Sequence, residues 1–199
     1  MSKSLNQIAI LIILLLSQLA AATGPAELAP VPHEGYEVKE QKAFYRSGNI
    51  GLVLEAANDA TIASYYRERG IDLGNPFKRF GGEMQTASIF MLSLINRTNS
   101  TLTFTPSYIT LKIKTEAYFP MDFTVLIGFL DGLEKKIQDV LRKSVFHSPD
   151  SVPPGQVVTG FLIFPALPKK MDQIKLEFDY LYAGTQEIRT AFYFARKKE

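Results

Sequence analysis

No cysteine occurs anywhere in the 199 residues. That absence excludes a lipid-modified N-terminal cysteine, a disulfide framework, a thiolate nucleophile and any zinc site built on sulfur. A strong excess of either charge is missing as well. There are 22 basic and 20 acidic residues, so the chain lacks the broad basic field on which nucleic-acid binding depends. The one local excess, Arg196-Lys197-Lys198, reads as a solvated tail behind a last strand. Histidine is scarce. His33 and His147 stand far apart, without carboxylates at metal-ligand spacing. There is no G-x-S-x-G nucleophile elbow. Beyond residue 22 charges interrupt every long apolar run, so no later segment is built to span a bilayer as a helix.

What is present begins at the N-terminus. Lys3 gives a short positive start, and Ile8 to Leu16, IAILIILLL, carries no polar side chain. Ser17-Gln18 interrupts it. Ala20 and Ala22 then supply small residues at the −3 and −1 positions of a cut between Ala22 and Thr23. This is the layout of a secretory signal peptide. As an uncleaved anchor the run falls short of the roughly 20 apolar residues a bilayer requires, unless the alanines are counted. The expectation is a leader over residues 1–22, cleavage at Ala22 and Thr23, and no transmembrane helix afterwards. An exported chain without disulfides points to a bacterial periplasm, or secretion from a bacterium, and must be held by an ordinary hydrophobic core. The remainder is long enough for one. Asn96-Arg-Thr98 and Asn99-Ser-Thr101 fit the glycosylation pattern; in a bacterial protein they read as polar turn residues.

Residues 23–42 read as a proline-rich tether, with Pro25, Pro30 and Pro32 and little apolar periodicity. Residues 43–199 then read as a single β-sandwich domain with a helical insertion. Asn49–Ala56 is a bounded apolar run. Thr86–Asn96, TASIFMLSLIN, is apolar on both faces in its middle, as a buried sandwich strand is. Leu102–Phe104 resumes after a turn. In Tyr108–Lys114, Ile109, Leu111 and Ile113 alternate with Thr110, Lys112 and Lys114, the pattern of a half-buried strand. Ile174, Leu176, Phe178, Tyr180 and Tyr182 fall on one face of the next strand, and Ile188, Thr190, Phe192 and Phe194 on one face of the last, which together make a hairpin around Gly184. Two segments break this rhythm. Asp59 caps a short helix near 60–69, with Ile62, Tyr65 and Tyr66 at helical spacing and Gly70 as its stop. Near 122–145, Leu126, Ile127, Leu130, Leu133, Ile137, Val140 and Leu141 recur at three and four, which makes an amphipathic helix with a weak point at Asp131-Gly132.

Val152–Pro165, VPPGQVVTGFLIFP, is a turn built to start a strand. Pro153 and Pro154 fix φ, and Gly155 takes the positive φ a tight turn requires. Both alternate rows of the following strand are apolar, which suits a central strand with one face under a helix or neighbouring loop. Pro165 ends it. A phosphate-cradling loop would need more glycines, a following helix and usually a lysine. Asn96–Thr98, Phe104–Pro106 and Val152–Pro165 together resemble secreted bacterial immunoglobulin-like domains of unknown function, often found in lipoproteins. The resemblance covers about residues 86–194 and implies an antiparallel immunoglobulin-like β-sandwich. It implies no catalytic residues, and the chain departs from the pattern in having no lipid-attachment cysteine and in the insertion from Asp122.

The chemistry-bearing clusters each have a plainer reading beside the functional one. His147-Ser148-Pro149-Asp150 contains the residue types of a hydrolase triad, but neighbours on one segment do not converge as a triad must. Arg79, Gly81, Gly82 and Glu83 suit a bulge or turn better than a ligand loop. Tyr65, Tyr66, Tyr180 and Tyr182 could line a sugar- or peptide-binding face, and their spacing favours a core rim. Gly128-x-x-x-Gly132 resembles a helix-contact motif with Asp131 inside it. The preferred function is therefore a non-enzymatic exported envelope protein, a binding or scaffolding module whose partner is an envelope protein or lipid. Candidate partner-binding residues are Phe123, Leu126, Ile127 and Leu130, on the part of the helix stripe least needed by the core. No catalytic, metal or cofactor residue is assigned. The alternatives are an envelope-polymer hydrolase and a small-ligand or lipid carrier lidded by the inserted helix.

Overall fold

The computed structural model describes residues 27–80, 86–121, 128, 134–147, 149–168 and 170–197. In chain order the strands are β1 (Leu28–Pro30), β2 (Glu37–Lys39), β3 (Lys42–Ser47) and β4 (Ile50–Ala56). Helix α1 (Asp59–Arg67) follows, then β5 (Ser88–Asn96), β6 (Leu102–Phe104), β7 (Ile109–Ile113) and β8 (Glu116–Tyr118). Helix α2 (Lys135–Ser144) precedes β9 (Asp150–Val152), β10 (Val157–Phe164), β11 (Gln173–Ala183) and β12 (Gln186–Arg196). The strands form two antiparallel sheets. One runs β1-β12-β11-β6-β9, with β7 also on β11 and β8 on β7, and the other runs β10-β5-β4-β3-β2.

The alternation of apolar residues decides how the sheets meet. Leu52, Leu54, Phe90, Leu92, Leu94, Leu162 and Phe164 face inward from the five-stranded sheet. Leu111, Leu176, Phe178, Phe192 and Phe194 meet them from the other. Each such buried side chain contributes about 1.5–3 kcal/mol, so the two faces close as a sandwich. β5 is apolar on both sides because its second row, Ile89 and Met91, enters another cluster. There it joins Ile62, Tyr65 and Tyr66 of α1, Phe77, and Phe161 and Ile163 of β10.

The turn at Pro153–Gln156 forms as the sequence argues. Gln156 N donates to Pro153 O at 3.2 Å, and Gly155 takes φ +75°. β10, however, is not central: it lies at the end of its sheet. Its second apolar row is covered by a helix, as the pattern suggests, and that helix is α1. Its outer edge is met by other backbone, since Phe146 N donates to Phe161 O at 2.9 Å and Met121 N to Ile163 O at 2.7 Å. Gly160 permits that approach, because a Cβ there would lie 2.9 Å from Ser144 O and 3.0 Å from the Phe146 ring.

The sheets are pinned at one end by Asn96, which is wholly buried at the end of β5. Its Nδ2 donates to Val152 O at 2.7 Å on the opposite sheet and to Ser100 O at 2.8 Å. Its Oδ1 accepts from Thr98 N at 3.0 Å and Thr98 Oγ1 at 2.7 Å. The Asn-x-Thr triplet is a structural pin.

Four expectations need correction. Residues 27–42 are not a tether: β1 pairs with β12 and β2 with β3. Proline is tolerated there because β1 is an edge strand, and Tyr36 fastens the segment by donating to Val31 O at 2.6 Å and accepting from Tyr193 N at 2.9 Å. The cap of α1 is Asn58, one residue earlier than Asp59. Its Oδ1 accepts from Thr61 N at 2.9 Å, while Asp59 in the first turn pairs with Lys78. The helix expected near 122–145, with its weak point at Asp131-Gly132, is interrupted at Glu134, where ψ is 137°, and α2 runs over Lys135–Ser144, while 122–127 and 129–133 lie outside the described residues. Finally, Tyr180 and Tyr182 do not share the inward face of Phe178. A β-bulge between Phe178 and Leu181, with Tyr180 at φ +58°, reverses the parity of β11. Leu181 and Ala183 turn inward, and the tyrosines turn out.

Candidate functional site

Among the described residues, one concave surface lies against each sheet. The larger, about 650 Å³, opens between α1 and the outer face of the five-stranded sheet. Pairing of β3, β4, β5 and β10 sets its floor in rows. Lys42 stands opposite Glu55 and Glu55 opposite Met91, while Ser93 stands opposite Thr159. Lys42 Nζ lies 3.2 Å from the carboxylate of Glu55, which is nearly buried. The hydroxyls of Ser93 and Thr159 share a hydrogen bond of 2.8 Å.

Helix α1 supplies the wall. Tyr65 donates its hydroxyl to Thr159 O at 3.1 Å, tying helix to floor. Arg69, one turn on, lays its guanidinium 3.6 Å above the centre of the Tyr65 ring and donates to Tyr65 O at 2.9 Å. That is a cation–π contact between an exposed guanidinium and a buried ring, and both residues line the cleft. Burial pushes the Tyr65 phenol above its ordinary pKa, and the charge of Arg69 opposes this. Tyr66, on the far side of the helix, shares a hydrogen bond of 2.8 Å with Ser144 of α2, and burial drives its phenol far above its usual value. The lining thus combines charges of both signs, hydroxyls and one stacked aromatic face, with Lys42 paired to Glu55, Ser93 bonded to Thr159 and Tyr65 bonded to the floor.

The smaller hollow, about 350 Å³, is lined by residues including Tyr108, Tyr180, Tyr182, Thr105, Asp150 and Ser151. It lies where β11 changes partner. Lys175–Phe178 pair with β7, whereas Tyr182 and Ala183 pair with β6. The chain linking β6 to β7 passes through a short 3-10 turn, Pro106–Tyr108, and Tyr108 meets Tyr180 there with ring centres 4.7 Å apart. Tyr108 is 51% exposed and Tyr180 47%, so this aromatic pair is on the surface and not a rim of the core. Asp150, on β9, accepts from Ser151 N at 2.7 Å through Oδ1.

The residues singled out by sequence are scattered. Tyr65 and Tyr66 are buried in the second cluster, while Tyr180 and Tyr182 line the hollow. His147 is half-buried, and burial, with the charge of Arg142, holds it below its ordinary pKa. Ser148 lies outside the described residues, and so do Gly81, Gly82 and Glu83. His33 is stacked on Tyr193, ring centres 4.7 Å apart, and its Nδ1 accepts from Gly35 N at 3.1 Å. Phe123, Leu126, Ile127, Leu130, Ala22 and Thr23 all lie outside the described residues, whereas Ile137 and Leu141 of the same stripe pack against the second cluster. Sequence reading missed Arg69, which lies four residues after Tyr65 in the turn that follows α1. It also missed Tyr108, which non-local pairing brings to Tyr180. Among the described residues no group of three or more His, Asp or Glu is placed to hold a metal ion, and no helix is long and apolar enough to cross a membrane.

Among the described residues, fold and surfaces together define a mainly β, antiparallel, sandwich-like protein with helices α1 and α2 and an open cleft against each sheet. No family model matches the chain, and no curated protein matches it. Among solved structures it is similar to the yjhA protein from Bacillus subtilis, at 11% identity and a TM-score of 0.40 over 74% of this chain and 93% of that one. A likeness of that degree carries no conclusion about function.

Proposed function

We propose that the chain is a non-enzymatic exported binding module of a bacterial envelope, built on an immunoglobulin-like sandwich, that holds an extended segment of an envelope protein in the cleft beside α1. The immunoglobulin-like reading draws support from the order in which the chain changes sheets, at Asn96–Leu102 and again at Val152–Val157, in two antiparallel layers. The observation that carries the binding reading is the lining of the cleft. Ser93 is engaged with Thr159, and Glu55 with Lys42, so these groups present fixed dipoles and charges instead of an activated nucleophile and base. Charges of both signs beside hydroxyls and the stacked Arg69–Tyr65 pair suit the mixed chemistry of a polypeptide better than that of a lipid tail.

Photo-crosslinking in the native cell tests this. A benzoylphenylalanine at Ser64, on the cleft wall, is expected to capture a discrete protein. The same group at Thr110, on β7 of the opposite sheet, is not. Equal capture from both positions, or none from Ser64, rejects the cleft as the recognition surface. Intact mass of the exported chain tests the leader separately, since retention of Met1–Ala22 in a membrane fraction rejects export by cleavage.

A further inference from the structure

The hollow between β6, β9 and β11 is independent of the cleft beside α1, and its construction differs. Its walls are the rings of Tyr108, Tyr180 and Tyr182, two of them about half exposed. Among the described residues that line it, the one charged side chain is Asp150. Arg189, whose charge acts on Tyr182, is held by Glu187 at 2.9 Å, and Glu187 stands opposite Tyr182 across the hairpin. An aromatic face is electron-rich at its centre and attracts cations, most strongly those with a diffuse, weakly hydrated charge.

The backbone adds a second observation. Tyr180 holds φ +58° in the middle of a strand, a conformation that L-residues adopt at a cost and that glycine or asparagine adopt easily. A bulky aromatic retained in such a position is an outlier of the kind that accumulates at ligand sites, and bulges recur beside them because they re-aim a side chain. Here the bulge aims Tyr180 at Tyr108 and into the hollow.

We propose that this hollow binds an organic ammonium group, an alkylated amine of the choline type, with the three tyrosine rings around the methylated nitrogen and the Asp150 carboxylate opposite its charge. Two sources carry that chemistry, a free small molecule and the headgroup of a phosphatidylcholine surface. The hollow, at about 350 Å³, has room for the headgroup cation itself.

The test uses the exported chain with its tyrosine rings labelled with carbon-13 and followed by NMR. Choline is compared with 3,3-dimethylbutan-1-ol, which has the same shape but carbon in place of the charged nitrogen. Choline is expected to shift ring signals that disappear in Tyr108→Leu and Tyr180→Gly, and to bind roughly tenfold more tightly than the neutral alcohol. Asp150→Asn, which leaves the rings in place, should weaken choline several-fold and leave the alcohol unchanged. Phosphatidylcholine vesicles distinguish the sources: sedimentation of wild type but not of Tyr180→Gly assigns the headgroup, and choline binding without sedimentation assigns the free amine. Equal affinity for choline and the alcohol overturns the proposal. So does the absence of any shift at millimolar choline, or binding of methyl glucoside in choline's place, which would make the tyrosines a sugar platform.

Discussion

Replacing Tyr180 by glycine and, separately, by alanine exposes the strain at the bulge through a difference of sign. Both changes remove the same ring and its contact with Tyr108 at 4.7 Å, so that loss cancels between them. What remains is the backbone. At an ordinary strand position glycine is worse than alanine by roughly 0.5–1 kcal/mol, because it gives up more conformational freedom on folding. At φ +58° alanine bears the left-handed cost of about 1–2 kcal/mol and glycine does not. Tyr180→Gly should therefore be the more stable of the two, by about 1 kcal/mol. In a chain of this size that corresponds to roughly 2–4 °C in melting temperature. Against wild type, the relief of strain offsets the loss of an exposed aromatic pair worth about 0.5–1.5 kcal/mol, so Tyr180→Gly stays close to the parent. Urea melts and thermal scans by circular dichroism measure all three. An alanine variant as stable as the glycine variant, or more so, refutes the left-handed bulge and with it the strain argument.

Gly155→Val should cost about 1–3 kcal/mol through backbone strain alone, because nothing lies within 4 Å of its added Cβ; Gly155→Asn, tolerated at positive φ, should cost much less, and equal urea midpoints for the two reject the turn. Gly160→Ala should cost about 1–3 kcal/mol for the opposite reason, a collision with Ser144 O at 2.9 Å, and an unchanged midpoint means that α2 does not press on β10. Asn96→Ala leaves buried groups unpaired at roughly 1–3 kcal/mol each, and Asn96→Asp, which sets a carboxylate oxygen against the Val152 and Ser100 carbonyls, should be less stable still; a wild-type midpoint in either removes Asn96 as the pin between sheets. The raised pKa of Tyr66 means that its phenol binds a proton more tightly folded than unfolded. Stability is thus full below the unfolded value near 10 and falls as pH rises beyond it. Tyr66→Phe should flatten that decline in urea midpoints between pH 9 and 11, and an identical slope in both proteins rejects the assignment.

How much of this was legible in the sequence depends on whether a pattern had a rival. Ile109, Leu111 and Ile113 admit one reading, and β7 forms on it. The double apolar rows of β5 and β10 announced burial on both faces, with a helix or loop over the second row of β10, but that the cover is α1 rests on long-range packing, which no local pattern contains. The prolines at 25, 30 and 32 read as a tether because proline opposes pairing, yet an edge strand requires fewer donors and β1 accepts Pro30. Asn58 and Asp59 are both good caps, and the choice between them lies in which side chain reaches Thr61. The larger cleft was illegible because its floor is made of cross-strand partners such as Lys42 and Glu55, brought together only by register.

The tyrosines show the case where the pattern misled. Ile174, Leu176, Phe178, Tyr180 and Tyr182 alternate without a break, but Leu181 and Ala183 compete with the last two on the opposite parity. Keeping strict alternation would put Leu181 in water and two hydroxyl-bearing rings in the core, where each phenol would need a buried partner. A single extra residue resolves the conflict, since a shift by one exchanges the faces of everything beyond it. The place of that residue is also constrained. β11 pairs with β7 as far as Phe178 and with β6 from Tyr182, so the interval between them is the one stretch of the strand where the register can slip without breaking a ladder on that side. The bulge thus falls at the change of partner. The same interval is where the chain turning from β6 into β7 presents Tyr108. Burial of Leu181, the switch of strand partners and the meeting of Tyr108 with Tyr180 are therefore consequences of one slip in register, and the aromatic hollow is what that slip leaves on the surface.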